Sequence, residues 1–275
     1  MKTRKTSLKL LVYLIMLVLV VTCLFPVLWM CVISFKTVGE SISGFSALRI
    51  NTPTIANYER LMQLIPFWDN LYNSLFSTLF GTVTTLFFCA LAGFAFAKYK
   101  FPAREALFYF VIATMMIAPE AGSIPLFIIM RKVGLINSLW SLILPRIATA
   151  VGIFYMRQYI TDVPDEIVEA SRIDGCSDPG IFLRIMVPLI RPAIATVAIF
   201  TYLSCWNELM FAISFISKPQ WKTLTVGIMG MVGMYATNWG ALGAGLVVAT
   251  VPTLLIYLLM SGEIQKSFTT GALKG

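Results

Sequence analysis

The sequence predicts an all-α polytopic membrane protein of six transmembrane helices, with a cytoplasmic helical segment between the fourth and fifth spans. Three observations carry this expectation. Of the 275 residues, 58% are hydrophobic and 12% charged, with a mean hydropathy of +0.83, a balance that the core of one soluble domain cannot hide. Apolar runs of about 20 residues, the length that crosses a bilayer, recur along the chain. Lys and Arg gather in alternate connections, the asymmetry that orients membrane helices. A net charge of +8 would suggest nucleic acid in a soluble chain. Here Lys2, Arg4, Lys5, Lys9, Lys98, Lys100 and Arg104 flank apolar segments, so they read as topology signals and no nucleic-acid partner is expected.

The first span, at about 10–35, follows the basic start Met-Lys-Thr-Arg-Lys. Its apolar run of about 26 residues exceeds the about 7–15 of a cleaved signal. It is therefore read as retained, although Val20-Val21-Thr22-Cys23 faintly resembles a lipoprotein cleavage site. The second span covers about 71–97. The third, 106–130, is interrupted by Pro119, Glu120, Gly122 and Pro125, and the fourth, 137–160, by Pro145-Arg146. Irregular backbone at membrane depth is tolerated only where protein or a water-filled cavity covers it, so these are either proline kinks or the lining of a pathway. The fifth and sixth spans cover about 190–215 and 241–261, and the whole chain, 1–275, is one transmembrane domain. The amino-terminal tail, 98–105, 157–191 and the carboxyl-terminal tail together hold thirteen Lys and Arg, against seven in 36–70, 131–136 and 216–240. That bias places both termini and the loop 161–189 in the cytoplasm.

The connections on the opposite side are unequal. Lys36 to Asn70 is long and polar enough to sit outside as a small lid or amphipathic patch. Ser217 to Gly240 carries Trp221, Met231, Met234 and Trp239 among several glycines, side chains that suit either a surface meeting a partner or anchoring at the membrane boundary. The five cysteines show no paired or metal-like spacing, and the absence of histidine excludes a Cys/His zinc site. No Gly-x-x-x-x-Gly-Lys-Ser/Thr loop is present, so nucleotide is not expected to bind in the P-loop manner.

The polar stretch Val163 to Pro192 stands out from this background. Pro164 suits the first turn of a helix, Asp165 and Glu166 its positive end and Gly175 its stop, which predicts a helix over 164–174. Asp178 is expected to cap a second helix opened by Pro179. Ile167, Ala170 and Ile173 share one side at helical spacing, with Glu169 beside them, so the segment reads as a docking knob.

Glu169-Ala170-Ser171, then Gly175, Ile185 and Val187-Pro188, resembles the EAA loop of ABC-importer permeases, in which Glu-Ala-Ala is followed by Gly, Ile and Leu-Pro. Ser171 stands for the third Ala and Val187 for the Leu. Asn73-Ser74, Lys98 to Arg104, Gly134-Leu135-Ile136-Asn137 with Leu142-Ile143-Leu144-Pro145, Cys205-Trp206-Asn207-Glu208 and the ending Gly271-Ala272-Leu273-Lys274-Gly275 extend the resemblance over nearly the whole chain. It is similar to the shorter permease subunit of the carbohydrate-uptake class, related to the maltose, lactose and arabinose-oligosaccharide importers. The resemblance implies a coupling helix seated in a cytoplasmic ATPase. Glu169 would be its ion-pairing residue, with Ala170, Ser171 and Asp174 beside it, Gly175 its turn, and Ile185 and Pro188 its rear packing. It also implies the partners: a second, homologous permease, two ATP-binding subunits that hold ATP and Mg, and an external sugar-binding protein, with no cofactor in this chain. The site would be the bacterial cytoplasmic membrane, and the chain would be no enzyme itself.

Ionisable groups inside a span are functional candidates. At about 1.5 Å per residue, Glu120 and Glu208 lie roughly 20–25 Å from the cytoplasmic ends of their spans and Arg146 roughly 13 Å from the outer end of its own. Either they pair and steady the bundle, or Glu208, with Asn207, Trp206 and Tyr202, faces a cavity that binds sugar hydroxyls and stacks a sugar ring, with Glu120 on the same path. An alternative from another class is a proton- or sodium-coupled transporter with Glu120 and Glu208 as coupling carboxylates.

Overall fold

The computed structural model of the chain describes residues 2–233 and 237–272, with side chains described for 9–44, 46–233 and 237–262. Regular structure among the described residues is entirely helical. In chain order, α1 is Lys2–Ser34, α2 Ala56–Leu64, α3 Phe67–Lys98, α4 Arg104–Ala113, α5 Ser123–Lys132, α6 Trp140–Ile143 and α7 Ala150–Thr161. There follow α8 Asp165–Ile173, α9 Asp178–Leu189, α10 Arg191–Trp206, α11 Met210–Phe215, α12 Leu224–Met229 and α13 Trp239–Ala272. The middle of α9, Ile181–Met186, is π-helical.

Lys9–Ser34 of α1, all of α3 and Trp239–Gly262 of α13 are long and apolar enough to cross a membrane unbroken. Two bent pairs reach the same length if each counts as one span: Arg104–Met116 with Pro119–Lys132, bent by 95°, and Asp178–Leu189 with Arg191–Trp206, bent by 82°. By length and composition alone, up to five crossings among the described residues qualify; the sixth expected one, 137–160, is too broken to qualify as a helix. The expected span 137–160 is α6, a 3-10 turn Leu144–Arg146, and α7. Pro145 has no N–H with which to continue the α6 ladder. Helix restarts at Ala150, where Thr149 accepts from the Gly152 N–H at 3.2 Å. The break in 106–130 has a related cause: Ala118, ahead of Pro119, is extended at φ −60°, ψ 130°, where a pre-proline residue is driven.

The chain divides into two compact units. The first comprises the described residues of Met1–Phe67 and Gly227–Pro252. Most of α1 between Leu10 and Leu28 is exposed and apolar all round, while Ile33 and Ser34 at its end are buried, as befits a helix bathed in lipid. Carbonyls at its end and in the turn just beyond lack helical partners, and buried Asn57 of α2 supplies donors: its Nδ2 donates to the Ser34 carbonyl at 3.0 Å and the Lys36 carbonyl at 2.7 Å. A Cβ on Gly240 would stand 2.4 Å from Asn57 Oδ1, and one on Gly243 2.9 Å from Ile33 Cγ1. The start of α13 thus approaches this corner through small residues, as packed membrane helices do. Asn57→Ala, which leaves two carbonyls without their donor, is expected to lower stability by about 1–3 kcal/mol, measured as a fall in the unfolding midpoint of the detergent-solubilised protein.

The loop after α1 is built around two charges. Lys36 is buried and donates to the Ser41 and Ser46 carbonyls at 2.7 and 2.9 Å. Glu40 accepts from Thr37 Oγ1 at 2.7 Å and from the Asn51 N–H at 3.2 Å. These bonds, the Thr37 hydroxyl foremost, hold its pKa at about 2.

The second unit comprises the described residues of Trp68–Val226 and Thr253–Gly275. One core joins Cys89, Phe94, Met156, Ile160, Val168, Phe182 and Met186, so α3, α7, α8 and α9 share it. Another joins Met130, Leu142, Ala212, Phe215 and Val226. Near the latter, polar side chains pin the loops. Asn73 donates to the Gln220 and Lys222 carbonyls at 2.8 and 3.1 Å, and Ser74 accepts from the Leu224 N–H at 2.7 Å. Asn137, at φ 61°, accepts from the Ser217 and Lys218 N–H groups at 2.7 and 3.0 Å.

Candidate functional site

Two features of the second unit bear on function: the helix α8 with its flanks, and a cavity. α8 begins after Pro164, with Asp165 and Glu166 in its first turn. It ends where Gly175 turns at φ +80°, the left-handed conformation in which glycine carries no Cβ penalty. The Gly175 and Cys176 N–H groups donate to the Arg172 and Ser171 carbonyls, each at 3.0 Å. Val168 and Ser171 are buried and fix the helix to the core. Glu169, Ala170 and Asp174 are exposed, Ile173 is 87% exposed, Ile185 is half-buried and Pro188 exposed. Ile173 thus stands in the open beside a small residue and a carboxylate. Asp178 does not cap α9. Ser177 holds the cap position, without a side-chain cap bond, and Asp178 is the first helical residue, its carboxylate turned to Arg172 Nη2 at 3.3 Å.

The cavity has a volume of about 840 Å³. Thr114, Ile117 and Pro119 line it from the break after α4 and Leu126 from α5. Arg146 and Tyr155 line it from the turn before α7 and from α7, and Phe200, Thr201, Ser204 and Cys205 from α10. The wall is mostly apolar, with hydroxyls and one guanidinium. Arg146 donates through Nη1 to Ser204 Oγ at 2.9 Å and through Nη2 to Glu208, forming an ion pair. Glu208 Oε1 also accepts from the Phe211 N–H at 2.9 Å, and the Arg146 carbonyl accepts from Thr85 Oγ1 at 2.6 Å. The two charged side chains are 21% and 12% exposed, so each compensates the other at the cavity edge.

Of the three ionisable groups expected at membrane depth, the structure joins Arg146 and Glu208. Glu120 lies exposed on the 3-10 turn Pro119–Gly122; its neighbours Pro119 and Gly122 line the cavity and it does not. Tyr202 and Trp206 are buried, with stacked rings 6.1 Å apart, and neither lines the cavity. Asn207 is exposed, turning its amide to the Leu203 carbonyl at 2.9 Å. Positions four apart share a helix face. The face that meets the cavity therefore carries 196, 200 and 204, with 197, 201 and 205 beside them, not 202 and 206, and the hydroxyls of Thr196 and Ser204 at that spacing are its signal in the sequence. Trp221 is exposed in the second unit; Met231 is half-buried and Trp239 exposed in the first. Met234 lies outside the described residues.

Residues 89–268 match the model of a family described as the binding-protein-dependent transport system inner membrane component. The chain belongs to that family. The arabinooligosaccharides transport system permease protein AraQ of Bacillus subtilis is 32% identical over 256 residues, which are 92% of this chain and 91% of the relative. The lactose transport system permease protein LacG of Rhizobium radiobacter is 30% identical over 250 residues, 91% of this chain and 89% of the relative. Among solved structures, a chain of a bacterial ABC transporter involved in the import of the acidic polysaccharide alginate superposes with a TM-score of 0.84 at 22% identity. That alignment covers 94% of this chain and 97% of the other, and it shows a shared fold. This permease-family chain is thus a multi-pass inner-membrane component whose helical fold is that of an importer subunit.

Proposed function

We propose that this chain is the permease subunit of an ATP-driven, binding-protein-dependent importer of a sugar or oligosaccharide, and that it forms part of the translocation pathway. The observation that carries the reading is the likeness to arabinooligosaccharide and lactose permeases over 92% and 91% of the chain. ATP hydrolysis then belongs to separate subunits, and no cofactor is assigned to this one. In this reading the chain works with a second permease, two ATP-binding subunits and an external sugar-binding protein. It crosses the bacterial cytoplasmic membrane six times, with Pro145 breaking the fourth crossing and both termini in the cytoplasm.

α8 is the coupling helix of this reading. Its exposed Glu169, Ala170 and Asp174 meet the ATPase, Gly175 makes the turn, Ser171 faces the core, and Ile185 and Pro188 back the knob. The cavity beside Arg146 is part of the path, with Glu120 and Glu208 as further residues of that path; Tyr202, Trp206 and Asn207 steady α10 from behind. Trp221, Met231, Met234 and Trp239 belong to the binding-protein dock. Closure of the ATPases on ATP moves α8 and shifts the permease between inward- and outward-facing states, which requires that ATP bind one state better. Ion coupling is disfavoured, since Glu208 is held by Arg146.

The test is co-purification with candidate ATPases. Glu169→Ala and Gly175→Ala are each expected to weaken ATPase association and stimulated hydrolysis about tenfold or more, as loss of one interfacial charge pair or a strained turn would. A complex indifferent to both changes would remove α8 from the coupling role.

A further inference from the structure

α3 ends on Lys98, and Tyr99 follows. These consecutive residues reach both ends of α8. At its start, Lys98, whose side chain is 3% exposed, donates from Nζ to the Val163 carbonyl and to Asp165 Oδ1, the latter at 2.6 Å. At its other end, the Arg172 guanidinium lies 5.3 Å from the centroid of the Tyr99 ring and bonds Asp178. Tyr99 is in turn set edge-on against Phe94 of α3, which packs against Phe182 of α9, with centroids 5.4 and 5.6 Å apart.

Nine residues at 1.5 Å rise make α8 about 13 Å long, so the two grips are separated by roughly its whole length. A rod held at one point pivots; held at two it cannot. Lys98 and Asp165 are 67 residues apart in the chain, and the covalent neighbours of α8 are α7 and α9, so its tie to α3 is made by side chains. A buried ammonium keeps its partners because releasing them leaves its charge uncompensated. The pair marks the Asp165 carboxyl, held below the usual range by the Lys98 bond and charge. Burial, then the Asp178 carboxylate, pushes the Tyr99 hydroxyl up.

We propose that Lys98 and Tyr99 form a two-point clasp making α3 and α8 one rigid body, so that movement of α8 is delivered to the membrane-spanning α3 rather than absorbed in the loops. Both are positioning residues acting through α8, and the inference rests on the coupling reading above.

The experiment uses the full complex with its ATPases and otherwise cysteine-free subunits. Spin labels sit on native Cys176, exposed beyond α8, and on Tyr72→Cys, at an exposed site near the far end of α3. Cys23, Cys31, Cys89 and Cys205 are replaced by alanine. Dipolar spectroscopy then gives the label separation without nucleotide and with ATP and vanadate. The clasped protein is expected to show one narrow distribution, unchanged by nucleotide. Lys98→Met is expected to broaden it about twofold and make it nucleotide-dependent, as a hinge replaces a rigid body, with Lys98→Arg restoring it. Asp165→Asn, at a side chain 75% exposed and so compatible with folding, is expected to move it the same way and decides the matter if Lys98→Met does not assemble. Unaltered distances in Lys98→Met and Asp165→Asn would overturn the clasp even with coupling intact. Full ATPase association in Glu169→Ala and Gly175→Ala would sink the coupling reading however the labels behave.

Discussion

Arg146→Met is expected to destabilise the protein by about 3 kcal/mol, a fall of roughly 5–10 °C in the unfolding midpoint of the solubilised chain. Methionine fills much of the volume, so the loss is electrostatic rather than a cavity effect. Glu208, 12% exposed, would keep one bond, from the Phe211 N–H, and face the apolar wall with its charge unpaired. Ser204 would also lose its guanidinium partner. Adding Glu208→Gln to Arg146→Met removes the stranded charge, so the double variant is expected to recover at least half of the loss. Glu208→Gln alone should cost less than Arg146→Met, because Arg146 retains Ser204 and lies 6.0 Å from the Phe211 ring centroid. Equal midpoints for the single Arg146→Met and the double variant would show that the pair is solvated, and that its field does not shape the cavity edge.

Gly93→Ala is expected to be comparably damaging for a steric reason. A Cβ there would stand 2.6 Å from Met156 Cβ and 2.8 Å from the Arg157 nitrogen. The obstacle is α7 itself, so α3 and α7 would have to separate. Overpacking of this kind costs about 1–3 kcal/mol or more. It would also disturb Arg157, whose guanidinium lies 3.8 Å from the Phe108 ring centroid and pairs with Glu105 at 3.0 Å. Gly81→Ala is the control on the same helix. Its Cβ would meet only Cys205 Sγ, at 3.4 Å, and alanine's helix preference of about 1 kcal/mol over glycine should leave it neutral or slightly stabilised. Fluorescence-detected chromatography after graded heating separates the two; matching curves for both variants would mean that the α3–α7 contact is looser than its geometry.

α8 was legible because its signals are local. Pro164, two acids in the first turn and Gly175 each act within a few residues, and the helix Asp165–Ile173 lies inside the expected 164–174. The broken segments were half legible. Pro119 and Pro145 named the places, but hydropathy counts apolar residues without regard to continuity, so a bent pair and a straight span read alike. Arg146 and Glu208 could be matched since opposite charges at similar depth have few other partners; Glu120 could not, because the Pro119 turn decides where it points. The cavity-facing side of α10 differs from the expected one for another reason. Both its faces carry aromatic rings, Phe200 on one and Tyr202 and Trp206 on the other, and rings alone do not say which side meets empty space; the hydroxyls of Thr196 and Ser204 do. Asn73 and Asn137 belong to the motifs that carry the resemblance, yet their work, pinning backbone about 150 and 80 residues away in sequence, is long-range and leaves no local trace.

The bent segments also impose an order on biogenesis. α4 and α5 have ten residues each, about 15 Å of rise against the roughly 30 Å of a bilayer interior. Neither half partitions as an independent hairpin arm would, and each settles only against helices already in place. α3 leaves the ribosome before either half and can serve as that template. Arg146 is made 62 residues before its carboxylate, so the segment around Pro145 waits, its cation unmatched, until α10 has been synthesised. The unbroken α1, α3 and α13 can each enter the membrane singly, whereas the middle of the protein is expected to be committed only when its later half arrives.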